Sequence, residues 1–155
     1  MATSRREFLR LSGAAAAGLG LVSIATVRPA RATPVAMQEA IRKVVGDARV
    51  SPGRVKLELP PLVENGNAVP LTIGVESPMT AADHVRAIHV FTEKNPRPNV
   101  VSVRLGPRAG RASVSTRIRL ADTQTVTAIA ELSDGSFYSD RVDVVVTLAA
   151  CLEDP

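Results

Sequence analysis

The sequence predicts an all-β protein, an immunoglobulin-like β-sandwich of about seven strands preceded by a short N-terminal helix. Three observations predict it. Apolar residues recur with a period of two over most of the chain after residue 54. Clusters of Asn, Asp, Gly and Pro separate the periodic runs. A chain of 155 residues, 45% hydrophobic and 22% charged, suits one folded domain plus a processing segment. Alternation gives each strand one apolar face, which two sheets packed face to face require.

Residues 1–32 read as an export leader. Arg5 and Arg6 stand together before Phe8 and Leu9. A mildly apolar run rich in Ala and Gly follows from Leu11 to Val27, and Ala30-Arg31-Ala32 forms a small-x-small cleavage site. The run is short and weakly apolar beside the ~20 strongly apolar residues of a membrane span. An ordinary secretory signal is one reading. The adjacent arginines favour the twin-arginine route, which exports folded proteins. The mature chain is then expected from about Thr33 in an oxidising periplasm, with no membrane attachment after cleavage.

The charge distribution agrees with a removable leader. The chain holds 19 basic and 15 acidic residues, a net of +4. The first 32 residues hold five of the basic groups (Arg5, Arg6, Arg10, Arg28 and Arg31) and one acidic group, Glu7. Fourteen of each sign remain, so the mature part is neutral. With 3% aromatic residues there is little for bases to stack on, and nucleic acid is not an expected partner.

The body begins with an amphipathic helix over Pro34 to Val45. Met37, Ala40, Ile41, Val44 and Val45 fall on one stripe. Thr33 suits the N-cap, Pro34 the first turn, and Gly46 the residue past the end. Ser51-Pro52-Gly53 reads as a linker or turn. Seven strand patterns follow. Val55, Leu57 and Leu59 mark the first, and Val69, Leu71, Ile73 and Val75 the second. Val85 to Thr92 is β-branched and apolar with imperfect alternation, and Val101, Val103 and Leu105 follow it. Arg111 to Leu120 places Ala112, Val114, Thr116, Ile118 and Leu120 on one face. Val126, Ala128, Ala130 and Leu132 make the sixth, and Val142, Val144, Val146 and Leu148 the last. Asn65-Gly66-Asn67, Asn95-Pro96-Arg97-Pro98-Asn99, Gly106-Pro107 and Ser133-Asp134-Gly135-Ser136 punctuate them. Asp134-Gly135 is a hairpin signal, because glycine accepts positive φ.

The inventory of reactive groups is small. His84 and His89 are five apart, so on a strand they point to opposite faces and make a poor metal pair. No triad, phosphate loop or zinc spacing is present, and no cofactor or metal is expected. Arg104, Arg111, Arg117 and Arg119 form either an oxyanion-attracting sheet face or a solvated face balanced by Glu131 and Asp134; the second is favoured. Cys151 is the chain's single cysteine and follows the final strand pattern. A lone cysteine is commonly a small buried hydrophobe. A tail position instead favours exposure, and an odd thiol in an exported protein points to intermolecular pairing or reactivity.

At this point the sequence resembles a family, SoxY, the sulfur-carrier subunit of the periplasmic thiosulfate-oxidising Sox system. The resemblance rests on Leu57-Glu58-Leu59-Pro60, on Glu64-Asn65-Gly66-Asn67-Ala68-Val69-Pro70 and on Glu76-Ser77-Pro78-Met79-Thr80. It rests also on Val114 through Ala121 and on Glu131 through Phe137. It implies an immunoglobulin-like sandwich over 33–148 that pairs with a SoxZ-like subunit. It implies a C-terminal arm over 149–155 whose cysteine, Cys151, carries sulfur species covalently between partner enzymes. The arm differs from the family's Gly-Gly-Cys-Gly-Gly. It reads Ala149-Ala150-Cys151-Leu152-Glu153-Asp154-Pro155, closer to a subgroup with Ala-Ala-Cys-Ile-Glu. Alanine restricts the backbone more than glycine. Glu153 and Asp154, with the terminal carboxylate, disfavour the thiolate and repel a dianion.

The expected function is a non-enzymatic periplasmic carrier of small inorganic or organic sulfur species. An interaction module that pairs with a SoxZ-like partner, its cysteine incidental or used for a dimer disulfide, is the alternative. No acid–base constellation supports an independent enzyme.

Overall fold

The computed structural model describes residues 33–150. Arg5 and Arg6 of the expected leader, and Cys151, Leu152 and Glu153 of the expected arm, lie outside the described residues. The chain enters through helix α1, Pro34–Val45. Thr33 Oγ1 accepts the Ala36 N–H at 3.2 Å, and Pro34 occupies the first turn, where its missing donor costs nothing. Gly46, at φ 61°, ends the helix by donating its N–H to the Arg42 carbonyl at 2.8 Å.

Nine strands follow among the described residues. They are β1 (Val50–Pro52), β2 (Val55–Glu58), β3 (Leu62–Val63), β4 (Val69–Val75) and β5 (Val85–Thr92). Then come β6 (Asn99–Arg104), β7 (Ala112–Ile118), β8 (Gln124–Leu132) and β9 (Phe137–Val146). One sheet has the order β2-β4-β7 and the other β1-β9-β8-β5-β6, with β3 also on β9. The seven expected strands are β2 and β4 to β9, split three and four between two sheets. That is an immunoglobulin-like β-sandwich in which the fourth of the seven, β6, lies beside β5. The β8–β9 hairpin turns at Gly135, φ 82°, as its Asp-Gly pair requires.

The two sheets bury Leu57, Leu71, Ile73, Val85, Ile88, Val90, Val126 and Val144 between them. A second cluster forms on the opposite face of the larger sheet. Met37 from α1 meets Phe91, Ile129 and Phe137 there, with Ala40, Ile41, Val44 and Val45 packed around them. The molecule therefore has three layers: small sheet, large sheet, helix. This explains the imperfect alternation of Val85 to Thr92. β5 is central in its sheet and covered on both faces, so apolar residues occupy both parities.

Two strands were not expected. β1 lies in the stretch read as a linker, and Gly53 and Arg54, at φ 95° and 55°, make the turn after it. β1 and β3 both run parallel to β9, pairing Val50 with Phe137 and Leu62 with Val145. At two or three residues they are too short to show a period. They form because β9 would otherwise present open edge groups. The last strand also differs from expectation. It starts earlier, at Phe137, and ends at Val146, leaving Leu148 exposed. Thr116, expected to face inward on β7, is exposed on that edge strand. A cross-sheet bond closes one side of the sandwich: Asp140 Oδ2 on β9 accepts the Leu57 N–H of edge strand β2 at 2.8 Å.

Two outcomes test this packing. Phe91 is fully buried between α1 and the large sheet. Phe91→Ala should cost about 3–5 kcal/mol in urea or thermal unfolding, from lost transfer free energy and an unfilled cavity. His89 is half-buried on β5, and burial holds its imidazole below the ordinary 6.5, with Glu131 opposing and Arg104 assisting. The unfolded chain therefore takes up this proton first as pH falls. The group's contribution to stability is complete above 6.5 and is lost as pH drops through the lowered folded value. His89→Asn should flatten the fall of the urea midpoint below that pH.

Candidate functional site: the root of the C-terminal segment

The described chain ends one residue before Cys151, so the site is built from what holds Ala149 and Ala150. β9 delivers the chain to this point. Val146 N–H donates to Thr123 Oγ1 at 3.0 Å, and Thr147 N–H donates to the Val63 carbonyl at 3.0 Å. The Thr147 hydroxyl donates to the Glu64 carbonyl at 3.1 Å. The strand's end is thus tied to the segment after β3 and to the β7–β8 connection.

A single turn at Gly66–Ala68 lies beside it. Asn65 caps this turn, its Oδ1 accepting the Asn67 N–H at 2.9 Å. Gly66 N–H donates to the Leu148 carbonyl at 2.8 Å, and the Gly66 carbonyl accepts the Leu120 N–H at 2.9 Å. The Leu120 carbonyl in turn accepts the Ala150 N–H at 3.0 Å. Three segments distant in sequence are joined by one run of backbone bonds. Leu120 is fully buried and Ala150 is 8% exposed. Gly66 is needed here for space. A Cβ on it would lie 2.4 Å from the Leu120 carbonyl oxygen and 2.9 Å from the Ala150 nitrogen.

Ala149 and Ala150 were expected as the first residues of the arm. Ala150 is instead packed and hydrogen-bonded, so the fixed fold extends to residue 150. Cys151, Leu152 and Glu153 lie outside the described residues. In the sequence, Asn65-Gly66-Asn67 reads as turn punctuation and Leu120 as the end of a strand. The absence of room for a Cβ at Gly66 has no signal in the sequence, because the neighbours that fill that room come from Leu120 and Ala150.

The other singled-out residues lie elsewhere. His84 precedes β5, and its Nδ1 is 3.1 Å from the Thr80 carbonyl. His89 Nδ1 is 2.9 Å from the Ser102 hydroxyl. Among the described residues no group of three or more His, Cys, Asp or Glu is placed to hold a metal. The four arginines do not form one face. Arg104 is on β6 of the large sheet, whereas Arg117 is on β7 of the small one, with Arg111 and Arg119 flanking that strand. Glu131 and Asp134 do not balance them either. Glu131 pairs with Arg86 at 3.0 Å, and Asp134 Oδ1 accepts from the Ser136 hydroxyl at 2.6 Å and from the Ser136 N–H at 2.9 Å within its own turn. Those Ser136 bonds hold the Asp134 carboxyl below its ordinary range. No helix among the described residues is long and apolar enough to cross a membrane.

Comparison with known proteins places this architecture. No curated protein matches the chain. Among solved structures, the sulfur carrier protein SoxY from Chlorobium limicola f thiosulfatophilum aligns with a TM-score of 0.61 and 27% identity, over 72% of this chain and 96% of that one. The superoxide reductase (neelaredoxin) from Ignicoccus hospitalis aligns at 0.54 with 21% identity, over 74% and 94% of the two chains. The superoxide reductase from Nanoarchaeum equitans aligns at 0.53 with 10% identity, over 62% and 100%. The last two likenesses show the fold alone. The model of the sulfur oxidation protein SoxY matches residues 41–151, a span that takes in the Gly66–Leu120–Ala150 junction and reaches the cysteine. The chain belongs to the SoxY family of sulfur oxidation proteins.

Proposed function

We propose that this protein is a periplasmic sulfur carrier whose Cys151 thiol takes up a sulfur species covalently and presents it to partner enzymes of sulfur oxidation. Family membership and the likeness to a sulfur carrier protein support the carrier role. The observation that carries the cysteine assignment is the junction at Ala150. The fold is held rigidly to the residue before the chain's single cysteine, so any freedom of the thiol begins at a fixed origin. Covalent attachment does not require a pocket in the carrier, since the nucleophile is the thiolate itself and partner enzymes supply the chemistry.

The second part of the reading is a SoxZ-like partner. Leu62 and Val145 are register neighbours on β3 and β9, and both are exposed, as is Leu148 three residues further on. An apolar surface of this kind close to the junction suits a second subunit. The third part is export by the twin-arginine route, which rests on Arg5, Arg6 and the small-x-small site before Thr33.

Mass spectrometry of the protein taken from cells oxidising a reduced sulfur compound should find sulfur adducts on Cys151. Cys151→Ser should leave the fold intact and abolish both the adducts and sulfur-dependent growth. Recovery of Cys151 only as free thiol, or normal growth of the Ser variant, would overturn the carrier assignment. Replacing both Arg5 and Arg6 by Lys should stop export, read as full-length precursor in the cytoplasmic fraction.

A further inference from the structure

Asn95 lies in the turn between β5 and β6, yet its side chain acts on another loop. It is 4% exposed. Its Nδ2 donates to the Arg119 carbonyl at 2.7 Å, and its Oδ1 accepts the Ala121 N–H at 3.0 Å. One side-chain amide thus holds the backbone on both sides of Leu120. Gln124 locks Asn95 in place. Also 4% exposed, it donates from Nε2 to Asn95 Oδ1 at 3.1 Å and to the Asp122 carbonyl at 3.1 Å. Its Oε1 accepts the Lys94 N–H at 2.8 Å. Among the described residues no buried side-chain nitrogen or oxygen is left without a partner. A buried amide pair with every atom satisfied is rigid, because each alternative rotamer would leave polar groups unpaired.

We propose that Asn95 is a positioning residue for the Cys151 thiol. It fixes Leu120, and Leu120 fixes Gly66 and Ala150, so Asn95 fixes the residue to which Cys151 is bonded. The inference rests on the reading of Cys151 as the carrier thiol. A tethered group reacts in proportion to how often its tether places it correctly, and that falls as the tether lengthens beyond the span it must bridge. Loss of the junction would free residues 148–150, through which Cys151 is attached, while the ties of Val146 and Thr147 remain.

The single cysteine allows a nitroxide to be attached at residue 151 of the purified protein without other changes. In Asn95→Ala, amide exchange at Leu120 and Ala150 should rise about tenfold or more while amides of β5 and β8 keep their protection. The nitroxide spectrum should narrow in parallel. Gly66→Ala, which breaks the same junction from its other side and leaves Asn95 intact, should reproduce both changes. A folded Asn95→Ala protein with an unchanged Ala150 amide and an unchanged spectrum would overturn the proposal. So would an equal loss of protection throughout the domain in both variants, since Asn95 would then serve only global stability. None of these readouts uses sulfur chemistry. A failure of the carrier assignment, seen as Cys151 found only as free thiol, would leave them unaltered and is told apart from a failure of this inference.

Discussion

Leu120 carries a buried backbone N–H and C=O into the place where three loops meet, and both groups must be satisfied inside the protein. Much of the local structure follows from that requirement. The N–H finds Gly66, the carbonyl finds Ala150, and Gly66 also engages Leu148. The approach is close enough that no side chain fits at position 66. The turn that presents Gly66 is set by the Asn65 cap, and Leu120 itself is held by Asn95. The surroundings of Ala150 are therefore a backbone knot. Replacing either Ala149 or Ala150 by glycine would alter chain entropy without altering these bonds.

The remainder of the fold is a platform for that knot. β9 is paired along both edges, by β8 on one side and by β1 and β3 on the other. Its Asp140 reaches across to β2, so the strand leading to the junction is joined to both sheets. Helix α1 covers the outer face of the large sheet through Met37 and Phe91. With β5 and β8 buried on both faces, the central strands have little freedom to shift register, because a slip of one residue would exchange two apolar faces of different shape. In the proposed carrier role, this body would hold the chain firmly up to Ala150, the residue bonded to Cys151.

The core was largely readable in the sequence. Alternation in Val69 to Val75 and in Val126 to Leu132 named the inward faces correctly, and the capping signals at Thr33, Pro34 and Gly46 bounded α1 to the residue. β1 and β3 were not readable, since a strand of two or three residues has no period and exists only because β9 offers it an edge. The arginine cluster failed for a related reason. Nearness in sequence between β6 and β7 conceals a crossing from one sheet to the other.

The sequence by itself determined the sandwich, its entry helix, the family and the single thiol on which the functional reading rests. Those follow from local periodicity, turn chemistry and residue identity, all of which are properties of short stretches of chain. Only the tertiary structure decided how Ala150, the residue before the cysteine, is held. Asn95 and Gly66 both looked like ordinary turn residues. Their roles depend on contacts with segments 24 to 84 residues away, Arg119 and Ala150 among them, and such contacts exist only once the sheets have packed.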